Sequence, residues 1–415
     1  MESAAGHRDP VAAVIPRSAW QALFAGQLGW MLDSFDFLLF TFALRAIQKE
    51  FGASSSTMGL LTSVALVCGA GGGIVFGRLA DRYGRVRAMT WSMLVYSGAT
   101  AALATSSAIW QLFLWRAVVG LGMGGEWSCG SVLVAESWPA EHRARGMGMM
   151  QAAWAVGALA AAGVSALVLE PFGWRTLFVI GVVPAIVAFF IRRTVPEPEI
   201  WRKQRSAAKA SSSLRELFRA PLARRTFLAS SLAAVVLIAY WGVFTWLPSY
   251  LATPVLKGGA GLTLTRSAGW IVVVQLGALA GYLAFGWIAD TIGRRPAFTL
   301  FMIAAAVAVP IYANARRPAL LLIVGLLVGF FGSGYFSMFG ALLAELYPTR
   351  IRGTAQGFCY NIGRLASAGA PFAIGAAGDA YGLGMAIALM SVFFAIGAVL
   401  VWTLPETRGR ALLVS

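Results

Sequence analysis

Five ionisable residues that lie inside long apolar stretches of the chain could carry chemistry: Asp33, Asp36, Arg116, Glu126 and Arg364. A charged side chain in the hydrocarbon of a bilayer costs about 2.5–3.5 kcal/mol even by lenient measures, so each of the five needs a partner or a task. The two histidines of the sequence, His7 and His142, lie near polar segments. Proton transfer within the apolar stretches would therefore fall to carboxylates.

Asp33 and Asp36 stand three residues apart in GWMLDSFDFLLF, a spacing that puts both side chains on one face of a helix. Adjacent carboxylates raise each other's proton affinity, so the pair is predicted to couple a proton, with a structural ion pair as the alternative. Arg116 is predicted at a comparable depth, where it could pair with either aspartate for function or for structure. Glu126, about 15 Å further along the helix of Arg116, is either an inner proton site or a buried, hydrogen-bonded structural acid.

Arg364 lies near the middle of the apolar stretch that contains YNIGRLASAGAPF, and no acid of that stretch is close to it. A guanidinium binds a carboxylate through two parallel hydrogen bonds, so Arg364 is predicted to hold an anionic substrate. A partner acid from another helix is the alternative. Asn361, one turn earlier, is predicted to share the face of Arg364. Four further residues could line the same cavity, although ordinary helix packing explains each of them better when taken singly: Gln151, Tyr240, Thr245 and Gln275.

The composition places these residues in a bilayer. Hydrophobic residues make up 59% of the 415 residues and charged residues only 12%, whereas soluble proteins carry about 25% charged residues. A helix crosses the hydrocarbon with about 20 apolar residues, and twelve stretches reach that length. They are 18–44, 56–80, 88–106, 109–137, 146–169, 174–192, 225–251, 267–289, 296–314, 319–346, 353–378 and 382–404.

The basic residues are distributed unevenly between the two ends of these stretches. With both termini on one side, that side collects 24 of the 33 Lys and Arg residues, the other side seven, and two lie within the apolar stretches. The positive-inside rule makes the richer side cytoplasmic. The net charge of +16 therefore indicates orientation in an inner membrane, with cytoplasmic termini, rather than a surface for nucleic acid.

An internal repeat divides the chain into two halves. The segment GRLADRYGR, from Gly77 to Arg85, recurs as GWIADTIGR from Gly286, and AESWPAEHR recurs as AELYPTRIR at the same shift of 209 residues. The shared register predicts an all-α membrane protein with twelve transmembrane helices in two six-helix halves. A basic, serine-rich segment marks the boundary, which gives an N-terminal half at 1–192, a cytoplasmic linker at 193–224 and a C-terminal half at 225–415.

The repeated motifs, together with RAVVGLGMGGEW in the fourth stretch, resemble the signature of the major facilitator superfamily. The resemblance implies transport by alternating access, with the charged residues of the motifs forming a gate that opens and closes. The gating residues that it implies are Asp81, Arg85, Glu136, Asp290, Arg294 and Glu345.

Within that superfamily, the segments LDSFDF, GMGGEW and YNIGR together resemble the sialate:proton symporter family, which includes lactate permeases. They are also similar to aromatic acid:proton and metabolite:proton symporters. The resemblance implies import of a small organic anion with protons, and a monocarboxylate such as lactate or pyruvate is the expected substrate. An aromatic acid, sialic acid or another organic anion is the alternative.

Other functional classes lack their sequence signals. The glycine-rich GAGGGIVFG lies inside an apolar stretch without a preceding strand or a phosphate-binding lysine, so it indicates close helix packing rather than a nucleotide site. No catalytic or metal-binding cluster is evident, so neither an enzyme nor a bound cofactor is expected. A membrane sensor would need a soluble output domain, which the loops are too short to supply. The protein is expected to be a monomer in the lipid bilayer.

Overall fold

The computed structural model describes residues 15–53, 55–207, 214–262 and 264–413, and within these ranges every regular element is a helix. The α-helices are α1 Arg17–Phe51, α2 Ser55–Tyr83, α3 Arg85–Leu103, α4 Ile109–Ser137, α5 Arg143–Ile180, α6 Val183–Thr194, α7 Glu199–Ala207, α8 Leu222–Phe244, α9 Leu247–Ala252, α10 Leu264–Ile292, α11 Arg294–Asn314, α12 Pro318–Gly334, α13 Phe336–Leu346, α14 Arg352–Ser367, α15 Ala370–Tyr381, α16 Leu383–Ala388 and α17 Ser391–Leu400.

These helices build the twelve predicted spans, and several spans are broken. Spans one to four are α1 to α4, and a kink at Gly173 divides α5 between span five and span six, which α6 completes. Span seven is α8 with α9, span eight is α10 and span nine is α11. Spans ten, eleven and twelve each consist of two helices, α12 with α13, α14 with α15, and α16 with α17.

Hydropathy and length alone identify eight membrane-spanning stretches in the described part of the chain, one of which, Ala140–Thr194, is 55 residues long and crosses twice. The spans that this measure leaves out are α1, α3 and α14 with α15. Two of them contain charged residues predicted to function, Asp33 and Asp36 in α1 and Arg364 in α14. The residues that weaken the hydrophobic signal are therefore the ones that could carry chemistry.

Small residues let the spans cross at short range, as the glycine-rich stretch predicted. A Cβ added to Gly124 in span four would lie 1.8 Å from the carbonyl oxygen of Gly69 in span two. The same stretch also meets the other half, because a Cβ on Gly357 in span eleven would lie 2.1 Å from the carbonyl oxygen of Gly73. Span five and span eight form the second large contact between the halves. Close backbone approach thus holds the halves together along two lines.

The connections between helices lie at the two ends of the bundle, which we call the motif side, after the repeated motifs, and the opposite side. The motif side carries the turns at Gly84 and Gly293, the connections at 138–142 and 347–351, and the last described residues, 404–413. The opposite side carries the connections at 104–108, 315–317 and 382.

Candidate functional site

A chamber lies between the two halves, near the middle of the spans. It consists of two neighbouring cavities that share Trp154, Trp241 and Arg364 in their walls. Asp33 lines the first cavity. The second is lined mainly by aromatic side chains of both halves, together with one amide and one leucine, namely Trp30, Gln151, Leu237, Tyr240, Tyr282, Phe336 and Tyr360. Together the two cavities have room for only a few water molecules, so the chamber is nearly closed.

A third cavity, which we call the vestibule, lies nearer the opposite side. Thr245 and Pro248 at the end of span seven and Gln275 in span eight line it. Trp154 and Trp241 belong to its wall as well as to the walls of the chamber. Phe37 and Tyr240 also border both spaces, so these two indoles and two rings together lie between the chamber and the vestibule.

Arg364 brings a positive charge to the chamber. Its guanidinium forms no ion pair within 4.0 Å among the residues that the structure describes. It lies 5.8 Å from the ring centre of Tyr360 and beside Gly69 of span two, where an added Cβ would lie 3.5 Å from Nη1. Asp33 lines the same cavity, and its Oδ1 atom has no hydrogen-bond partner in the described ranges. The chamber thus holds a guanidinium and a carboxyl group that form no ion pair with each other within 4.0 Å.

The two aspartates of span one have different neighbours, although the sequence predicted a shared face. Asp33 lines the chamber, whereas Oδ2 of Asp36 accepts a hydrogen bond of 2.6 Å from the hydroxyl of Thr100 in span three. Oδ1 of Asp36 packs against Gly181 before span six, where an added Cβ would lie 3.0 Å away. A step of three residues turns a helix by about 60° short of a full circle, which is enough to aim the carboxylates at different spans.

Arg116 is buried in span four and does not form the predicted ion pair with an aspartate. No carboxylate of the described residues lies within 4.0 Å, and its Nε and Nη2 atoms have no hydrogen-bond partner there. The guanidinium lies instead over the ring of Phe40, 3.8 Å from its centre, in a cation–π contact. The ring of Phe40 is therefore the neighbour of the Arg116 guanidinium, where the sequence allowed for Asp33 or Asp36.

Glu126 is fully buried in span four, against span one. Both carboxyl oxygens lack a hydrogen-bond partner in the part of the chain that the structure describes. A Cβ added to Gly29 would lie 1.7 Å from Oε1, so the absent side chain at Gly29 makes room for the carboxyl group. The alternative of a hydrogen-bonded structural acid therefore has no support from the contacts of Glu126.

The predicted substrate residues divide between three places. Gln151 and Tyr240 line the chamber with Arg364, and Thr245 and Gln275 line the vestibule. Asn361 does not line either of them.

Asn361 is buried between span eleven and span two. Its side-chain amide donates a hydrogen bond of 2.9 Å to the carbonyl oxygen of Gly357, and an added Cβ on Gly73 would lie 1.9 Å from Nδ2. The predicted shared face is present, because Arg364 also points at span two, where an added Cβ on Gly69 would lie 3.5 Å from its Nη1 atom. Asn361 lines neither cavity, so its contact with the substrate stays a prediction.

Trp30 and Tyr360 line the chamber, yet the sequence analysis did not select them. Each stands about one helical turn before a residue that it did select, since Trp30 precedes Asp33 by three residues and Tyr360 precedes Arg364 by four. That spacing is the signal by which they could have been found. Tyr360 also stacks on Trp127 of the other half, with ring centres 3.9 Å apart.

A network of charges closes the motif side, beginning with Asp81 at the end of span two. Its carboxylate accepts hydrogen bonds of 2.8 and 2.7 Å from the backbone N–H groups of Gly353 and Thr354, at the start of α14 in the other half. Arg85 lies 3.1 Å from Asp81 and 2.9 Å from Glu136. Asp81 thereby caps a helix N-terminus across the interface, where a negative charge is favourable.

The second half repeats this arrangement on the first half. Asp290 accepts hydrogen bonds of 3.3 and 2.9 Å from the backbone N–H groups of Ala144 and Arg145, at the start of α5. Arg294 lies 2.6 Å from Asp290 and 3.1 Å from Glu345.

Two arginines complete the connection by pairing with acids of the opposite half. Arg143 lies 2.7 Å from Glu345, and Arg352 pairs with Glu136. All six residues that were predicted to gate therefore belong to a buried network of two charge clusters, which are related by the shift of 209 residues and each of which joins the two halves. Their geometry holds the halves together on the motif side, while their role in gating is still a prediction.

Two further acids related by the 209-residue shift belong to the same network, and the sequence did not lead us to predict them. Glu197 accepts hydrogen bonds from the backbone N–H groups that begin α3, including one of 2.7 Å from Arg85, and Glu406 accepts two of 3.0 Å at the start of α11. The turns before these helices need Gly84 and Gly293, whose φ angles are +118° and +107°. The signal was present, because both acids follow a proline at the 209-residue shift.

The environment of Glu406 favours its charged form. Burial alone would raise the pKa of this carboxyl group, but hydrogen bonds from backbone N–H groups outweigh burial and hold the pKa below its usual value. Glu406 is therefore charged at neutral pH, as a helix-capping acid requires.

Loss of the Asp81 carboxylate is expected to weaken the closed motif side. Asp81→Asn removes charge-assisted hydrogen bonds worth about 1.5–3 kcal/mol, so the ratio of open to closed molecules should rise by tenfold or more. Ser131, which donates a hydrogen bond to Gln356 across the halves, reports on this opening when replaced by cysteine in a background without native cysteines. Its thiol labelling should accelerate in the Asp81→Asn variant.

The matched control is Glu141→Gln, which removes an exposed acid of the motif side outside the network. It should leave the labelling rate unchanged. Equal labelling in Asp81→Asn and in the parent protein would reduce Asp81 to a turn residue without a gating role.

Comparison with known proteins agrees with this architecture. Residues 26–264 and 251–413 match the family Major Facilitator Superfamily. A putative metabolite transport protein of Haemophilus influenzae is 36% identical over 95% of this chain and 98% of its own length. A probable 4-methylmuconolactone transporter of Cupriavidus pinatubonensis is 34% identical over 92% of this chain and 90% of its own. The sialic acid transporter NanX of Escherichia coli is 30% identical over 90% and 91%.

The fold also matches solved structures. The proton:xylose symporter XylE superposes with a TM-score of 0.79 over 95% of this chain and 97% of XylE, at 18% sequence identity. The predicted fold of twelve transmembrane helices in two halves is confirmed. The chain belongs to the major facilitator superfamily, whose members are membrane transporters.

Proposed function

We propose that this protein is a proton-coupled symporter that imports an organic carboxylate by alternating access, without a bound cofactor. The observation that carries the proposal is Arg364, a guanidinium without an ionic partner in the described ranges, in the wall of a nearly closed chamber between the halves. A cation at this depth is costly, and an anionic substrate would offset that cost. The names of two relatives, a sialic acid transporter and a probable 4-methylmuconolactone transporter, support an organic-acid substrate.

The chamber wall favours a substrate with a flat, unsaturated body. Besides Arg364 it presents the rings of Trp30, Trp154, Trp241 and Tyr240 to the enclosed space. Aromatic faces are best covered by planar carbon skeletons, while the three carbons of lactate or pyruvate would leave most of them uncovered. Of the alternatives that the sequence left open, the aromatic lining thus favours an aromatic or other unsaturated acid over a small monocarboxylate, in a state whose chamber is wider than in this structure.

Asp33 and Asp36 are the proposed proton carriers. Asp33 shares the chamber with Arg364, so a charged Asp33 competes with the substrate carboxylate for the guanidinium. Protonation of Asp33 would leave the substrate carboxylate as the negative charge that Arg364 balances. Asp36, beside Thr100, and the buried Arg116 and Glu126 would then form the inner part of the proton site. Once its charges are neutralised, the chamber can close on one side of the membrane and open on the other with a smaller free-energy penalty.

The proposal assigns the motif side to the cytoplasm of a cell with an inner membrane. The excess of Lys and Arg on the side of both termini supports this orientation. The closed charge network would then represent a state that is shut toward the cytoplasm. The division into halves at 193–224 and a monomeric state belong to the same proposal.

A binding screen tests the substrate class. Purified protein in detergent is heated with benzoate, cis,cis-muconate, lactate, pyruvate or N-acetylneuraminate, and benzamide serves as the uncharged match for benzoate. A ligand at 100 times its Kd stabilises the folded protein by about 2.7 kcal/mol, which gives a clear rise in Tm. We expect benzoate or muconate to raise Tm and benzamide to leave it unchanged. Stabilisation by benzamide, or by none of the carboxylates, would contradict the proposal.

A further inference from the structure

The indole of Trp30 combines two properties that point to a ligand. Trp30 lines the same cavity as Arg364, and only 2% of its surface is exposed. Its Nε1–H group is buried and has no hydrogen-bond partner among the described residues. A buried donor without an acceptor costs free energy that the protein recovers only when an acceptor arrives.

In other buried tryptophans of the described chain, the indole Nε1–H group donates a hydrogen bond. Trp127 donates to Gln151 at 3.3 Å, and Trp138 donates to the carbonyl oxygen of Ala19 at 3.1 Å. Trp270 also lacks an acceptor, but it lines neither the chamber nor the vestibule. Trp30 is thus the tryptophan whose unused donor belongs to the wall beside Arg364.

The position of Trp30 is fixed by its neighbours. Its ring lies against that of Trp154, with centres 4.7 Å apart. The buried acids of spans one and four do not engage it, since Oδ1 of Asp33 and both oxygens of Glu126 are themselves without partners in the described ranges. A substrate with its carboxylate on Arg364 therefore meets a rigid donor elsewhere in the same cavity.

We propose that the Nε1–H group of Trp30 donates a hydrogen bond to a second acceptor on the substrate. Trp30 then selects unsaturated acids that carry a ring nitrogen, a carbonyl oxygen or a second carboxylate away from the carboxylate that Arg364 holds. This inference rests on the proposed function and narrows its substrate class. One hydrogen bond of this kind changes affinity by about 2- to 12-fold.

Four probes of equal shape isolate this contact. Benzoate has no second acceptor, whereas pyridine-2-, pyridine-3- and pyridine-4-carboxylate place a ring nitrogen at three different distances from the carboxylate. Calorimetric affinities for the wild-type protein should show that at least one pyridine acid binds more tightly than benzoate. Trp30→Phe keeps an aromatic ring and removes the N–H group, so it should abolish that preference while benzoate affinity changes by less than about threefold.

Trp270→Phe is the matched control, because it removes an unpaired indole N–H outside the chamber, and it should retain the preference. A preference that survives in folded Trp30→Phe would overturn the inference. The wild-type protein tests it without any variant, since benzoate binding with no preference for any pyridine acid would overturn it while leaving the proposed function intact. Failure of all carboxylates to bind would instead overturn the proposed function and this inference together.

Discussion

Replacement of Arg364 by alanine is expected to lower the affinity for a carboxylate substrate by about 10- to 150-fold, because a charge-assisted hydrogen-bonded pair contributes about 1.5–3 kcal/mol. The guanidinium is half-buried in the chamber wall and has no ion pair to lose among the described residues, so the change should affect binding more than folding. Arg364→Lys should recover little affinity, because an ammonium group cannot form two parallel hydrogen bonds. Calorimetry on proteins that elute as folded species in gel filtration measures both effects.

Arg317→Ala provides the control for this experiment, since Arg317 is an exposed arginine on the opposite side, away from the chamber. The affinity of the Arg317→Ala variant for the carboxylate should equal that of the wild-type protein. Equal affinities for wild type, Arg364→Ala and Arg364→Lys would make Arg364 a structural residue. Arg116 would then become the leading candidate for the anion site.

Asparagine in place of Asp33 or Asp36 is expected to abolish accumulation against a gradient while exchange of substrate across the membrane persists. Asparagine keeps the size of the side chain and removes the group that binds the proton, so binding and movement of the halves can continue without coupling. Proteoliposomes allow counterflow and pH-driven uptake to be measured side by side. The expected loss is complete for uphill uptake and partial for counterflow.

Asp379→Asn is the appropriate comparison, because Asp379 is an exposed acid outside the chamber. It should behave as wild type in both assays. Loss of accumulation in only one of the two span-one variants would assign the proton to that residue. Normal accumulation in both would remove the aspartates from the mechanism.

Much of the fold was predictable because it depends on features that act along the chain. Apolar length predicts most of the spans, and the register of the repeated motifs relates the charges that meet on the motif side. Asp81 and Asp290 illustrate this, since the same offset places each of them at a helix N-terminus of the other half. Glu197 and Glu406 follow the same offset, but they lie outside the two repeated motifs, each directly after a proline.

The details of the chamber were harder to predict, because they depend on the rotation and packing of each helix. Asp33 and Asp36 lie on adjacent parts of α1, yet one lines the chamber and the other contacts Thr100. Asn361 lies one turn from Arg364 on the same face, yet its amide packs against Gly73 and does not line the chamber. Arg116 has the ring of Phe40 as its neighbour, an aromatic contact that charge pairing along the sequence does not indicate.

The central claim is that an organic carboxylate and protons cross the membrane together. Its most direct test is uptake of cis,cis-muconate, or of the tightest-binding acid of the screen, into proteoliposomes that contain a pH-sensitive dye. The external medium is acidic and the membrane potential is clamped at zero, and passive entry is measured in liposomes without protein and with the Arg364→Ala variant. The account predicts accumulation above equilibrium together with substrate-dependent acidification of the interior, both abolished when the pH gradient is collapsed. Protein-dependent uptake that does not depend on the pH gradient and does not acidify the interior would contradict the claim of proton coupling.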